Sequence, residues 1–221
     1  MTFKILYIAA VPLAGFVEYA DRFVSGYLNY PPGYDHKLVV IVNGAEIDDR
    51  IRFIFSPTGC EFYQGDNIGF DTGSYISYAK EFQDADAFVC CGTQINFTRS
   101  GWLKRYSEAW DAYGPNYYGA LPNVRPAIRT LGFCIPPSFL RSYPNPVITR
   151  QERRNFEDMH MNMMWYAMHI GHKTYLVTWS GIYEIPVQND HYWNGDNNDL
   201  LFNDIRFYRH DPEIGSLDVP V

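Results

Sequence analysis

Residues 66–75 read Asp-Asn-Ile-Gly-Phe-Asp-Thr-Gly-Ser-Tyr, a polar, glycine-bearing loop that opens a helix. The run before it, 60–63 (Cys-Glu-Phe-Tyr), has strand character, and 74–82 places apolar residues at helical spacing. Gly69 and Gly73 allow a positive φ or a close backbone approach to a ligand. Asp71, Thr72 and Ser74 are good capping types, and a helix start offers free N–H groups. Strand, glycine-rich loop and helix, in that order, is how an open α/β sheet builds a nucleotide site. The same order also makes a capped turn with no ligand, so the loop gains meaning only if the rest of the chain converges on it.

The remaining segments repeat the alternation. Residues 3–9 are an apolar run of strand length, and 16–24 follow with helical period. Residues 36–42 (His-Lys-Leu-Val-Val-Ile-Val) are the clearest buried strand. Asn43-Gly44 could close a hairpin, but 45–51 reads as a helix start, which favours a crossover. Residues 86–91 form another buried strand, with Gly92-Thr93-Gln94 at its carboxyl end, and 100–110 is helical. Strands alternating with helices imply a mostly parallel central sheet flanked by helices, with right-handed crossovers.

The second half is less regular. Residues 114–119 are turn-rich, 127–135 read as a strand stopped by Pro136-Pro137, and 150–170 read as one long helix with Gly171 as its cap. His172 and Lys173 lead into a strand at 173–178. Beyond Trp179 polar and aromatic residues mix without period. With no repeat or linker, the expectation is one α/β domain over 1–221, its nucleotide-binding half at 1–112 and its acceptor and catalytic half at 113–221.

Composition narrows the function. A formal charge of -7 argues against general affinity for nucleic acid or anionic lipid. A 17% aromatic share suits a folded protein with aromatic-lined clefts. Cys60, Cys90, Cys91 and Cys134 lack CxxC spacing and read as buried thiols of a reducing compartment, not as a zinc site. Residues 5–15 resemble a signal-peptide core, but only Lys4 precedes them and Pro12 interrupts them, so a first strand fits better. No run has transmembrane length, and a cytoplasmic location is expected.

Three constellations could hold chemistry. The loops at 9–14, 43–46, 66–74 and 92–96 would meet beyond the carboxyl ends of the strands, bringing small residues, amides, hydroxyls and carboxylates suited to a ribose and base. Neither GxxxxGK[ST] nor an early GxGxxG occurs. Residues 155–160 (Asn-Phe-Glu-Asp-Met-His) would begin a helix with Met161, Met164, Trp165 and Met168 in the core. There Glu157 or Asp158 either complements the helix dipole or acts as a general base. His160 could be a ligand or an acid, but a lone histidine is more often structural. In 190–196, Tyr192 and Trp193 offer flat faces for sugar rings, and Asp and Asn offer hydroxyl partners; the plain alternative is a surface loop with an aromatic anchor.

In that order these pieces resemble a GT-A type glycosyltransferase, of the family-2-like or rhamnan-synthesis-like group. Val40-Ile41-Val42-Asn43-Gly44 stands where that group has a strand ending in an acidic turn. Residues 67–73 are similar to its N-x-G-x-D-x-G loop, 129–133 to its RTxxF strand and 156–158 to its Glu-Asp helix start. Residues 191–196 with Asn198-Asp199-Leu200-Leu201 resemble its C-terminal segment. The resemblance implies a Rossmann-like domain that moves a sugar from a nucleotide-diphosphate donor to a glycan or other hydroxyl acceptor, with inversion. Ala10, Asn43, Asn67, Asp71, Gln94 and Arg129 would bind the donor. Glu157 or Asp158 would be the base, and His191, Trp193 and Asp196 would shape the acceptor site. One departure matters. Where the group carries a metal-binding DxD motif, this chain reads Val89-Cys90-Cys91-Gly92-Thr93-Gln94. Mg²⁺ or Mn²⁺ therefore lacks its usual carboxylates. Three options follow: a metal-independent transferase with Arg129 and His191 offsetting diphosphate charge, a metal held by groups such as Asp71 or His191, or a catalytically silent nucleotide-sugar or glycan-binding module.

Overall fold

The computed structural model describes residues 1–122, 128–159, 162–185 and 197–204. Its centre is β1 (Phe3–Ala10), whose residues are almost wholly buried on both faces. β2 (His36–Asn43) pairs parallel to it from Phe3↔His36 to Ala10↔Asn43. β3 (Glu61–Gln64) continues outward, parallel to β2. On the other side β4 (Ala87–Cys91) runs parallel to β1, with Tyr7 level with Cys91. The carboxyl ends of these strands share one edge of the sheet. The helices α1 (Phe16–Asn29), α2 (Asp49–Phe55) and α3 (Phe70–Glu81) make the crossovers. Asn43-Gly44 thus leads into a crossover, not a hairpin.

Beyond β4 the sheet changes direction. After β5 (Ile95–Phe97), α4 (Trp102–Tyr113) and β6 (Tyr117–Gly119), β7 (Phe133–Ile135) pairs antiparallel to both β4 and β6. An antiparallel strand begins where its parallel neighbour ends. Phe133 lies opposite Cys90, and the Gly132 N–H donates to the Cys90 carbonyl at 2.9 Å. Residues 129–132 are thereby brought to the shared carboxyl edge. Then come α5 (Pro137–Ser142), α6 (Arg150–Asp158), α7 (Met163–His169), β8 (Thr174–Val177) and β9 (Ile182–Glu184). The eight strands run in the order β3-β2-β1-β4-β7-β6-β8-β9, and β10 (Phe202–Asp204) pairs separately with β5.

Alternation along the strands feeds a core on each face. Ile5 and Tyr7 join Phe23, Phe55, Phe97 and Trp102, and Tyr7 stacks on Phe23 at 3.6 Å between centroids. Leu6 and Ile8 join Tyr75, Phe88, Phe133, Phe139 and Phe156 on the other face. The result is a mostly parallel sheet between two helical layers, as the alternation implied. Among the described residues no helix is long and apolar enough to cross a membrane.

Several local expectations are corrected. Of the 127–135 segment, the described residues 128–135 are strand only from Phe133, with an isolated bridge between Pro122 and Ile128; β7 ends at Ile135 and Pro137 starts α5. Residues 117–119, expected in a turn, form a buried strand between two partners. The 150–170 helix is two. Thr149 and Glu152 form a reciprocal capping box that starts α6, and Asn162 caps α7 through the Trp165 N–H at 2.9 Å. Met164 is buried as expected, whereas Trp165 is exposed. The organising loop also works differently. The helix cap is Gly69, at φ 71°, so Asp71, Thr72 and Ser74 lie inside α3. Gly69 makes room for the chain at Val147, whose carbonyl would lie 1.9 Å from a Cβ there, and Gly73 for the Ile68 carbonyl, which would lie 2.0 Å from a Cβ there.

Gly69→Ala therefore combines backbone strain with a collision, and its cost should be about 1–3 kcal/mol. Gly59→Ala has the same strain, at φ 65°, with open space around it. Urea unfolding should show Gly69→Ala clearly less stable than Gly59→Ala; equal losses would mean that the Val147 contact imposes nothing.

Candidate functional site

A cleft of about 400 Å³ opens at the carboxyl edge of the sheet, within the range of small-molecule sites. All four expected loops contribute: Ala10 and Leu13 after β1, Asn43 from β2, Asn67, Phe70 and Asp71 after β3, and Gly92, Thr93 and Gln94 after β4. The residues before β7 add Arg129, Thr130 and Leu131, and α6 adds Arg153 and Glu157. The six residues expected to touch a donor thus line one cleft with Glu157. The Asp158 backbone closes α6, but its side chain lies outside what the structure describes. His160, His191, Trp193 and Asp196 also lie outside the described residues.

The loops are tied to one another below the cleft. Asn43, almost wholly buried, donates from Nδ2 to the Phe70 carbonyl at 3.3 Å and accepts at Oδ1 from Ser74 Oγ at 2.9 Å. Its amide thus locks β2 to α3. The Thr93 hydroxyl donates to the Ile8 carbonyl at 2.9 Å, fastening the β4 loop to β1. Asn67 and Phe70 both hold positive φ, 59° and 61°. Asn tolerates that region; for Phe it is strained, and such strain concentrates at functional sites.

The charged centre joins three segments. Arg153 Nε lies 3.0 Å from Asp71 Oδ1, and Arg153 Nη2 donates to Glu157 Oε1 at 2.9 Å. The first contact is an ion pair without aligned hydrogen-bond geometry, which leaves that buried N–H without an acceptor among the described residues. The buried Thr130 hydroxyl donates to Glu157 Oε1 at 2.6 Å. The Arg153 guanidinium also sits 5.8 Å from the Phe70 ring centre. Burial opposes its charge, but the carboxylates of Asp71 and Glu157 outweigh that and hold its pKa above the ordinary value.

Glu157 and Asp158 are at the end of α6, not its start. The dipole reading therefore reverses, because the partial negative charge of a helix C-terminus disfavours a carboxylate by about 0.3–1 kcal/mol. Arg153, one turn earlier, and Thr130 compensate at Glu157. Sequence reading missed both residues. The capping box Thr149-x-x-Glu152 was the available signal, since it fixes the helix start and puts Arg153 and Glu157 one turn apart. For Thr130 the signal was the RTxxF-like segment itself, which was read for Arg129 alone.

Among the described residues, no cluster of His, Cys, Asp or Glu has the arrangement of a metal site. Asp84 and Asp86 lie at the opposite sheet edge, where Asp84 pairs with Lys4 at 2.6 Å and Asp86 accepts from the Thr2 N–H at 2.7 Å. The three cysteines Cys90, Cys91 and Cys134 are free and buried, and burial pushes their thiols up, so they are inert core groups.

No family model matches the chain, and neither does any curated protein. The fold is shared with solved structures. A mannosyltransferase from Pyrobaculum calidifontis, determined with GDP-Man and Mn²⁺, matches with TM-score 0.59 at 10% identity, over 86% of this chain and 59% of its own. TarS from S. aureus matches with TM-score 0.52 at 9% identity, over 76% of this chain and 34% of its own. A nucleotidyl transferase from Methanothermobacter matches with TM-score 0.51 at 15% identity, over 79% and 86%. The chain thus spans about a third of TarS and about three fifths of the mannosyltransferase. At these identities the likeness is one of fold, a GT-A or Rossmann-like arrangement.

If Thr130 holds the Glu157 carboxylate, Thr130→Val should lower stability by about 1–2 kcal/mol, the scale of a partly buried charged hydrogen bond, and Thr130→Ser should restore most of it. Urea unfolding of the three proteins checks this; a valine variant as stable as wild type would remove that role.

Proposed function

We propose that the chain is a glycosyltransferase that moves a sugar from a nucleotide-diphosphate donor to a hydroxyl of a glycan or other acceptor, with inversion. The observation that supports this most is the convergence of four β-to-α loops, the segment before β7 and the end of α6 on one cleft. The first group suits the donor, and the last supplies a carboxylate beside it. Ala10, Asn67, Gln94 and Arg129 would contact the donor, and Asn43 would act mainly by holding the loops in place.

In this reading a carboxylate at the end of α6 takes the proton from the acceptor hydroxyl as its oxygen attacks the anomeric carbon. The bond from that carbon to the diphosphate oxygen breaks, and the nucleoside diphosphate leaves with the electron pair. Arg129 offsets the charge that develops on it. Glu157 faces the cleft and keeps Oε2 without a partner among the described residues. Asp158 is the neighbouring candidate. His191, Trp193 and Asp196 remain proposed for the acceptor.

A second reading, a catalytically silent nucleotide-sugar or glycan-binding module on the same fold, draws on Gly92-Thr93-Gln94, where a carboxylate motif would stand in an active relative. The test is a thermal-shift panel of UDP-, GDP-, TDP- and CMP-sugars, followed by turnover assays with the responding donor. At a hundredfold excess over its dissociation constant, the donor should add about 2.7 kcal/mol of stability. Whichever of Glu157→Gln and Asp158→Asn removes the base should cut transfer by about 10²–10⁴-fold while the donor shift persists. Binding without turnover in any acceptor mixture would favour the silent module. No shift with any donor would remove the transferase reading and leave, of the second, only a glycan-binding module.

A further inference from the structure

The charges lining the cleft differ from those of the chain as a whole. Two are acidic, Asp71 and Glu157, and two are basic, Arg129 and Arg153. The described lining is therefore neutral in a chain of formal charge -7. It neither repels a diphosphate nor concentrates a divalent cation.

The donor atoms do not suit a divalent cation. Mg²⁺ and Mn²⁺ need several oxygens free to converge on one point. At the end of β4 the Thr93 hydroxyl is turned to the Ile8 carbonyl, and Gln94 supplies only an amide. The Asp71 and Glu157 carboxylates converge, but on the Arg153 guanidinium, which lies within 3.0 Å of each. A metal ion placed between them would face a fixed positive charge at close range.

That guanidinium is built to stay where it is. It is pinned from α3 and from within α6, and the ring of Phe70 lies beside it. A guanidinium has five N–H donors. The two carboxylates engage one edge and part of Nη2, and Nη1 has no partner among the described residues. Arg presents such donors in a fixed fork that matches phosphate oxygens.

We infer that Arg153, held by Asp71 and Glu157, binds the diphosphate of the donor alongside Arg129, in place of a divalent metal. The inference rests on the nucleotide-diphosphate reading above and adds to it a residue and a mode of charge compensation. Asp71 then serves as a positioning residue for Arg153 and not as a metal ligand. Because Arg153 also pairs with Glu157, a bound diphosphate would compete for part of its charge and leave Glu157 more available as a base.

The test is calorimetric titration of UDP, GDP and the nucleosides uridine and guanosine into wild type, Arg153→Met and Arg153→Lys, each with EDTA and with Mn²⁺. Wild type should bind one of the diphosphates in EDTA, and Mn²⁺ should change its affinity less than about threefold. Arg153→Met should weaken that diphosphate by about ten- to a hundredfold and leave the matching nucleoside unchanged, as expected for a lost charged hydrogen bond. Arg153→Lys should recover part of the loss, since it restores charge without the fork. Diphosphate binding by wild type only with Mn²⁺ would overturn this inference and leave the transferase reading standing. Equal weakening of nucleoside and diphosphate by Arg153→Met would also overturn it, by showing a structural role alone. No binding of UDP or GDP by wild type, with or without Mn²⁺, would overturn the inference for these donors, and no response to TDP- or CMP-sugars either would remove the donor reading itself.

Discussion

The level register of β1, β2 and β4 is the constraint from which the site follows. Ala10 lies beside Asn43, and Tyr7 beside Cys91, so the chain leaves all three strands at one edge. A parallel strand must be followed by a crossover, and the first turn of each crossover is left at that edge. The antiparallel β7 then brings Arg129 and Thr130 to the same place by starting where β4 ends. Nothing in the loops themselves has to specify this convergence, because the ladder does it. The loops need only be short, polar and fastened, which Asn43, Ser74 and Thr93 accomplish with buried hydrogen bonds.

On that frame the molecule accepts local costs where the cleft lies. Phe70 is held at positive φ, its carbonyl accepting from Asn43 Nδ2 and sharing the one Ser74 hydroxyl proton with Asn43 Oδ1. Glu157 sits at the unfavourable end of a helix and is retained by Thr130 and Arg153. A surface far from function would relieve such costs by substitution at little loss. Their clustering on one cleft is what sets this region apart from the well-satisfied core around Tyr7 and Phe23. The likeness to a mannosyltransferase and to a nucleotidyl transferase is one of fold, and fold by itself assigns no chemistry.

The central sheet was legible because its strands are long, apolar runs separated by amphipathic helices. Residues 3–9 and 36–42 announce burial on both faces, and the loops between them place Ala10, Asn43, Asn67, Asp71 and Gln94 on the cleft by topology alone. The second half was harder for a physical reason. Its strands are three or four residues long and take their identity from partners distant in sequence, as Tyr117 does from Thr174. The positive φ allowed for Gly69 is present, but the close approach at Gly69 and Gly73 is to the chain's own Val147 and Ile68 carbonyls, and a glycine needed against backbone looks, in sequence, like one needed against a ligand. Arg153 was invisible for a similar reason. In the run Arg150-Gln151-Glu152-Arg153-Arg154 only the helix phase distinguishes the arginine that turns inward, and that phase depends on where the capping box starts α6.

Amide hydrogen exchange, with and without saturating UDP or GDP, tests most directly whether these segments serve one ligand. Simultaneous slowing is expected in residues 10–15, 43–47, 66–73, 92–95 and 129–132, with the β8–β9 edge unchanged. Slowing confined to a single loop, or centred away from the carboxyl edge of the sheet, would contradict a shared nucleotide cleft.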